Sequence, residues 1–411
     1  MATATKNRQY SYTARDASGK SVQATLDAPS EQAVASFLKE NGLTPLTVVD
    51  ATPTGLKKEI KIPGFGDKIN LKDIAVASRQ LATMIGSGLS LLRALSILVE
   101  QTENPALAKV LGEVRNDVEQ GRSFSGALGR HPKVFPPLMI NMVKAGEVGG
   151  FLDETLVSIA QNFEDEVKLR GKVKSAMAYP VVVLVIAILA SLAMLLFIIP
   201  VFGQMFADMG AELPAPTQFL ISMSDFMKVA ILPIIVVFII FSFWWRSHKN
   251  DRWLRERLDP LKLKAPVFGP LMRKIAIARF ARNLSSMLAA GVPILQALGI
   301  VGEASGNTVI EHATEDIQDA VRRGRSITSP LQNSEVFPPM VAQMMAVGED
   351  TGALDDMMGK VADFYDQEIE ATTEQLTSLI EPIMIMFVGI IVGGMVICMY
   401  LPMFSVYDQI A

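Results

Sequence analysis

A chain of 411 residues, half of them hydrophobic and only 19% charged, is too apolar to be an ordinary soluble protein of two or three domains. Its net charge is −4, and no nucleic-acid partner is expected. The single cysteine, Cys398, excludes an intramolecular disulfide.

Taken in chain order, residues 1–50 read as a small α+β unit. Tyr10 to Ala14 alternates like a strand, Asp16 to Lys20 reads as a turn, and Ser21 to Leu26 returns as a hairpin partner. Ser30 caps a helix whose Ala33, Val34, Phe37 and Leu38 share a face, Asn41-Gly42 ends it, and Thr47-Val48-Val49 offers a last strand. Lys6, Arg8 and their polar surroundings argue against a cleaved signal peptide. Residues 51–68, rich in Pro, Gly and Lys, read as a linker.

Residues 69–174 read as a bundle of about six helices. Apolar residues recur at helical spacing over Ile74–Ile85, Leu89–Leu98 and Leu107–Val118. Breaks fall at Gly86-Ser87-Gly88, Glu103-Asn104-Pro105, Gly121 and the stretch His131 to Pro137. The uncharged run Ser175–Ala207 then supplies a first membrane span, 175–203, since about 20 apolar residues cover a bilayer core. An acidic loop, 204–228, follows, and then a second span, 229–245, ending in Trp244-Trp245. Residues 246–379 form a second bundle, 380–405 a third span, and 406–411 a tail.

The second bundle and its span repeat the first. Arg79, Gly88, Ala94, Leu95 and Asn104 recur 203 residues later as Arg282, Gly291, Ala297, Leu298 and Asn307. After a slip to 202, Phe135-Pro136-Pro137, Gly146-Glu147 and Pro180 recur as Phe337-Pro338-Pro339, Gly348-Glu349 and Pro382. So long a period denotes a duplicated domain, not a solenoid. The cations Lys168, Arg170, Lys172 and Lys174 precede span one, and Arg246, Lys249, Arg252, Arg255 and Arg257 follow span two. The positive-inside bias therefore places the N-terminus and both bundles in the cytoplasm and the C-terminus outside. The repeat requires the same topology, because equivalent domains belong in one compartment and span two supplies the extra crossing.

No catalytic constellation emerges. Gly19-Lys20-Ser21 lacks the phosphate-loop glycine at position 14, which is Ala14, and His131, His248 and His312 are isolated. No cofactor, metal or enzymatic activity is expected. The paired motifs Gly146-Glu147 with Asp153, and Gly348-Glu349 with Asp355, are read as lying between helices. They have two readings: a helix break with carboxylates at the next helix start, or a surface for a partner or cation where Glu147, Asp153 and Glu154 converge. Gly88 and Gly291 mark equivalent turns. Pro180 and Pro382 are expected in the first turn of their spans, where the missing N–H costs nothing. Glu381, where the first copy has Tyr179, either is stabilised at the helix start or meets a membrane-embedded partner. Gly389, Gly393 and Gly394 fit a close helix–helix contact.

These features together, Phe-Pro-Pro, Gly-Glu-x-x-Gly-x-Leu-Asp, spans opening on Tyr-Pro and Glu-Pro, and Gly210 to Pro214 outside the membrane, resemble the inner-membrane platform proteins of type IV pili and type II secretion, the secretion protein F family. Residues Met399 to Phe404 are closer to the pilus branch, while Gly149 departs from the usual Ser or Thr. The resemblance implies a non-enzymatic platform in the bacterial inner membrane, acting as a dimer or higher homo-oligomer amid membrane lipid. Its implied partners are cytoplasmic assembly and retraction ATPases, pilin or pseudopilin transmembrane helices, and other inner-membrane components of the machine. A small-solute transporter or channel is the competing class. Transporters usually repeat their spans and place polar or broken helices at the midplane, whereas here the repeated mass lies mainly outside the spans.

Overall fold

A computed structural model describes residues 8–15, 21–28, 30–50, 68–208, 214–249, 251–332 and 334–410. The chain divides into two units, 1–68 and 69–411. In the first, β1 (Arg8–Arg15) lies between β2 (Ser21–Ala28) and β3 (Thr44–Asp50), antiparallel to both. Helix α1 (Glu31–Glu40) is capped by Ser30, whose hydroxyl accepts from the Ala33 N–H at 3.3 Å. Val34 and Leu38 are fully buried with Tyr10, Ala14 and Ala28. Phe37, expected on the same face, is 46% exposed, because the stripe centres on Val34 and Leu38 and leaves Phe37 at its edge. The turn read at 16–20 and most of the 51–68 linker lie outside the described residues.

The second unit is mainly helical. Its first repeat comprises α2 (Leu71–Gly86), α3 (Leu91–Gln101), α4 (Pro105–Glu119), α5 (Phe124–Leu128), α6 (Pro137–Gly149) and α7 (Leu152–Ala193). A π-helical segment, Met194–Ile198, leads into α8 (Ile199–Asp208), and α9 (Ala215–His248) returns. After α10 (Arg252–Lys264) the second repeat runs α11 (Gly269–Ala289), α12 (Ile294–Ala304), α13 (Thr308–Arg322), α14 (Thr328–Gln332), α15 (Pro339–Thr351) and α16 (Leu354–Ile410).

Residues that recur in the sequence end and begin these helices. Asn104 accepts from the Ala106 and Leu107 N–H groups, and Asn307 from that of Val309, so both cap the third helix of their repeat. Gly88, Gly121, Gly291 and Gly324 all hold positive φ, between 68° and 87°, where a side chain is strained. In each repeat the first helix packs along the last, α2 on α7 and α11 on α16. One continuous core joins the two repeats, from Leu95 and Phe124 in the first to Phe280 and Met345 in the second.

Three helices are long and apolar enough to cross a membrane, within Leu152–Phe206, Ala215–His248 and Leu354–Pro402. Helices α7 and α16 pass from bundle to span without interruption. Pro180 and Pro382 consequently lie inside helices, not in the first turn as the sequence suggested. Each removes one i→i−4 hydrogen bond in mid-helix, a loss that membrane helices tolerate better than soluble ones. Pro200 lies just beyond a π-helical segment, inside a helix that runs on from Leu152 to Phe206. The π segment before it pairs the Ile199 N–H with the Met194 carbonyl, five residues back.

The 204–228 segment needs a second correction. The sequence reads as a loop because it is acidic, yet α8 reaches Asp208 and α9 begins at Ala215. Thr217, Leu220 and Ser224 are buried, and Leu220 packs with Leu195, Ile199 and Met395. The Thr217 hydroxyl donates to the Cys398 carbonyl at 2.5 Å. Apolar residues at helical spacing therefore dock this stretch on the other two spans, while its ion pair Asp225–Lys228 stays outside. The tail read from 406 is likewise helical to Ile410. Gly389, Gly393 and Gly394 face open space, with no atom within 4 Å of where a β-carbon would stand, so they serve no contact among the described residues.

Candidate functional site

The paired Gly-Glu motifs lie in the last turns of α6 and α15, not between helices; the breaks come at Gly150 and Gly352, both left-handed. Glu147 reaches back to α5, accepting from the Phe124 N–H at 2.5 Å and the Ser125 N–H at 3.0 Å. In the second copy Glu349 accepts from the Ile327 N–H at 3.0 Å and the Ser326 hydroxyl at 2.6 Å. Glu147 thus satisfies two amides, and Glu349 one amide and a hydroxyl, at the start of a one-turn helix that could not hold its shape alone. The preceding glycines permit close approach: a β-carbon on Gly146 would lie 2.5 Å from Thr155 Oγ1, and one on Gly348 would lie 2.8 Å from the Leu354 Cα. Asp153 and Asp355 sit in the first turns of α7 and α16, favourable to the helix dipole. Among the described residues no group of three or more His, Cys, Asp or Glu is placed to hold a metal ion.

Gly149 has a local explanation. The Phe151 ring folds over it, so a side chain there would overlap the ring, and the ring tip also lies 3.3 Å from where a Gly291 β-carbon would be. The ring therefore wedges the first repeat's last turn against the second repeat's first turn. The second copy has Ala353 at the equivalent place and keeps Thr351, whose hydroxyl donates to the Val347 carbonyl at 2.6 Å.

At the boundary of the spans the structure brings Tyr179, Pro180 and Glu381 together around a cavity of about 30 Å³, closed by Val183, Thr377 and Met384. Pseudo-equivalent positions of the two repeats thus meet across α7 and α16. Pro382 lies on the neighbouring α16 position, outside that lining.

A polar seam, not apparent from the sequence, runs between the repeats below this point. In the first repeat Arg79 donates to both Glu164 oxygens, at 2.7 and 2.6 Å. In the second, Arg282 pairs with Asp366 at the matching positions. Environments differ: Arg79 is 36% exposed, whereas Arg282 is 10% exposed. The hydrogen bond from Arg79 holds the Glu164 carboxyl below its ordinary range, while burial pushes that of Asp366 up against the pull of Arg282. Across the seam Asn162 donates to Asn283 at 3.1 Å, Arg279 pairs with Glu166 at 2.7 Å, and Lys172 with Glu370 at 2.6 Å. One signal could have revealed the pairs. Arg79 and Arg282 recur at one offset, and acidic residues recur at 164 and 366.

The fold defines a duplicated helical protein whose repeats each run into a membrane-length helix. The family model for type II secretion system protein F matches residues 77–200 and again 280–402, and that family's N-terminal domain matches residues 1–49. Type IV pilus assembly protein PilC of Thermus thermophilus is 44% identical over 403 residues, covering 98% of this chain and 99% of that protein. The protein of the same name in Myxococcus xanthus is also 44% identical, covering 98% and 96%. Type II secretion system protein F of Aeromonas hydrophila is 32% identical, covering 93% and 99%. The chain belongs to the type II secretion system protein F family.

Proposed function

We propose that this protein is a non-enzymatic platform in the inner membrane of a type IV pilus or type II secretion assembly machine, with the pilus the better fit. It couples the motion of a cytoplasmic ATPase to the insertion of pilin-type subunits into a fibre. The names of its long relatives support the machine; the mechanism rests on one observation, that each repeat's last helix continues unbroken from bundle into span. Helix α16 has 57 residues and is about 85 Å long at 1.5 Å per residue. A displacement imposed on the bundle reaches the membrane through such a rod without loss in a flexible joint. The fused core and the seam make the two bundles move together, so an ATPase gripping either one moves both spans.

The charge asymmetry supports this orientation: bundles inside, the segment joining α8 to α9 and the C-terminus outside. Glu147 and Glu349 then act in this reading as internal braces that keep the bundle surface in shape for a partner. Deleting the gene and imaging the cell surface tests the proposal. Loss of fibres or of the secreted substrate, with pilin-type subunits still in the membrane, is expected; normal fibres and secretion would overturn it.

A further inference from the structure

Where α7 enters its span, a groove of about 510 Å³ opens between α7 and α11. Its α7 wall carries Arg170, Lys174, Met177 and Val181, spaced three or four residues apart on one helical stripe; α11 adds Ile275 and Arg279. The upper part is apolar and the lower rim cationic. Lys174 is the last charged residue before the uncharged run that begins at Ser175, so the rim sits at headgroup level and the apolar part at acyl level. Glu166 is the acid that faces the rim, held by Arg170 at 2.6 Å and Arg279 at 2.7 Å. Two arginines against one carboxylate leave an excess positive charge, and Lys174, exposed and in no ion pair among the described residues, adds another.

We infer that this groove is a binding site for one anionic glycerophospholipid, its phosphate on Lys174 and Arg170 and an acyl chain along Met177 and Val181. Charge complementarity selects this occupant over a neutral lipid, since basic pockets between membrane helices on the cytoplasmic side suit anionic headgroups. The lipid would lie against both repeats and link the seam to the bilayer. The inference rests on the proposed orientation only for the leaflet that supplies the lipid.

The test is native mass spectrometry of the full-length protein, purified in detergent and titrated with phosphatidylglycerol or phosphatidylcholine of identical acyl chains. Wild type is expected to retain phosphatidylglycerol preferentially. K174Q should lower that retention about fivefold and R170Q/K174Q about 25-fold, from the usual contribution of one basic residue at an anionic surface. R246Q/K249Q, which removes as much charge from the end of α9, should change it less than about twofold. Equal retention of the two lipids by wild type, or unchanged retention by R170Q/K174Q, overturns the inference. So does exclusion of phosphatidylglycerol by an added apolar pilin-type transmembrane peptide, which would make a helix the occupant. K174Q alters one exposed side chain and carries the test alone if the double variant melts. Accessibility of cysteines placed at Val148 and Asp208 checks the orientation separately, so a reversed topology leaves the lipid result standing.

Discussion

Glu147 and Glu349 show how one residue type at one repeated position shapes a bundle. Replacing either by Ala leaves donors at the start of α5 (two amides) or α14 (one amide and a hydroxyl) without their acceptor, a loss of roughly 1–3 kcal/mol for each half-buried set. E147A/E349A is therefore expected to lower the unfolding midpoint in detergent more than either single change, and an unaltered midpoint would show the carboxylates to be free for a partner. The seam carboxylates give opposite pH behaviour. Asp366 binds its proton more tightly in the folded protein, so its contribution is complete below the ordinary carboxylate range and is lost as pH rises through its raised folded value. Glu164 contributes above that range and its contribution is lost as pH falls through its lowered value. D366N should flatten the decline in stability above about pH 4, and E164Q the decline below it, in unfolding midpoints followed against pH. The Gly-Glu motif is legible in the sequence as a repeated feature, but its direction is not: nothing local tells that Glu147 turns 22 residues back to Ser125. The seam is hidden for the same reason, since Asn162 meets Asn283 only after both repeats fold.

Helix ends are legible where chemistry marks them. Asn104, Gly121, Pro137 and Gly150 each stop or start a helix by a mechanism visible in the residue itself. The local signal misleads where tertiary packing overrides it. Pro180 and Pro382 look like helix starts, yet a neighbouring helix and an apolar surround keep the chain helical through them. Asp208, Glu212 and Asp225 make 204–228 look like a loop, although Thr217, Leu220 and Ser224 lie on one face that the other spans cover. Helical continuity also makes a prediction. One alanine inserted after Ser175 would turn the span by about 100° relative to its bundle while lengthening the helix by only about 1.5 Å. The variant is expected to accumulate in the membrane at the wild-type level, judged by immunoblot of membrane fractions, yet to assemble no fibres. Fibres in wild-type number would mean that the bundle and span need no fixed phase.

At the scale of the whole molecule the duplication, legible from Arg79 and Arg282 onward, becomes a fused pair of bundles carrying two unbroken rods into the bilayer. The sequence repeat does not reveal that the copies share one core, because the contacts that join them, such as Phe151 on Gly291, lie where the copies differ. In the proposed function, force enters at the bundles and leaves at the spans. Site-specific photo-crosslinking in assembling cells tests it most directly, with the probe at Val148, 84% exposed on the first bundle, or at Ile186 and Ile385 on the spans, 61% and 67% exposed. A cytoplasmic ATPase captured from Val148 and a pilin-type subunit captured from Ile186 or Ile385 are the expected result. A pilin-type subunit captured at the bundle, or no protein but the chain itself at all three positions while fibres grow, would contradict it.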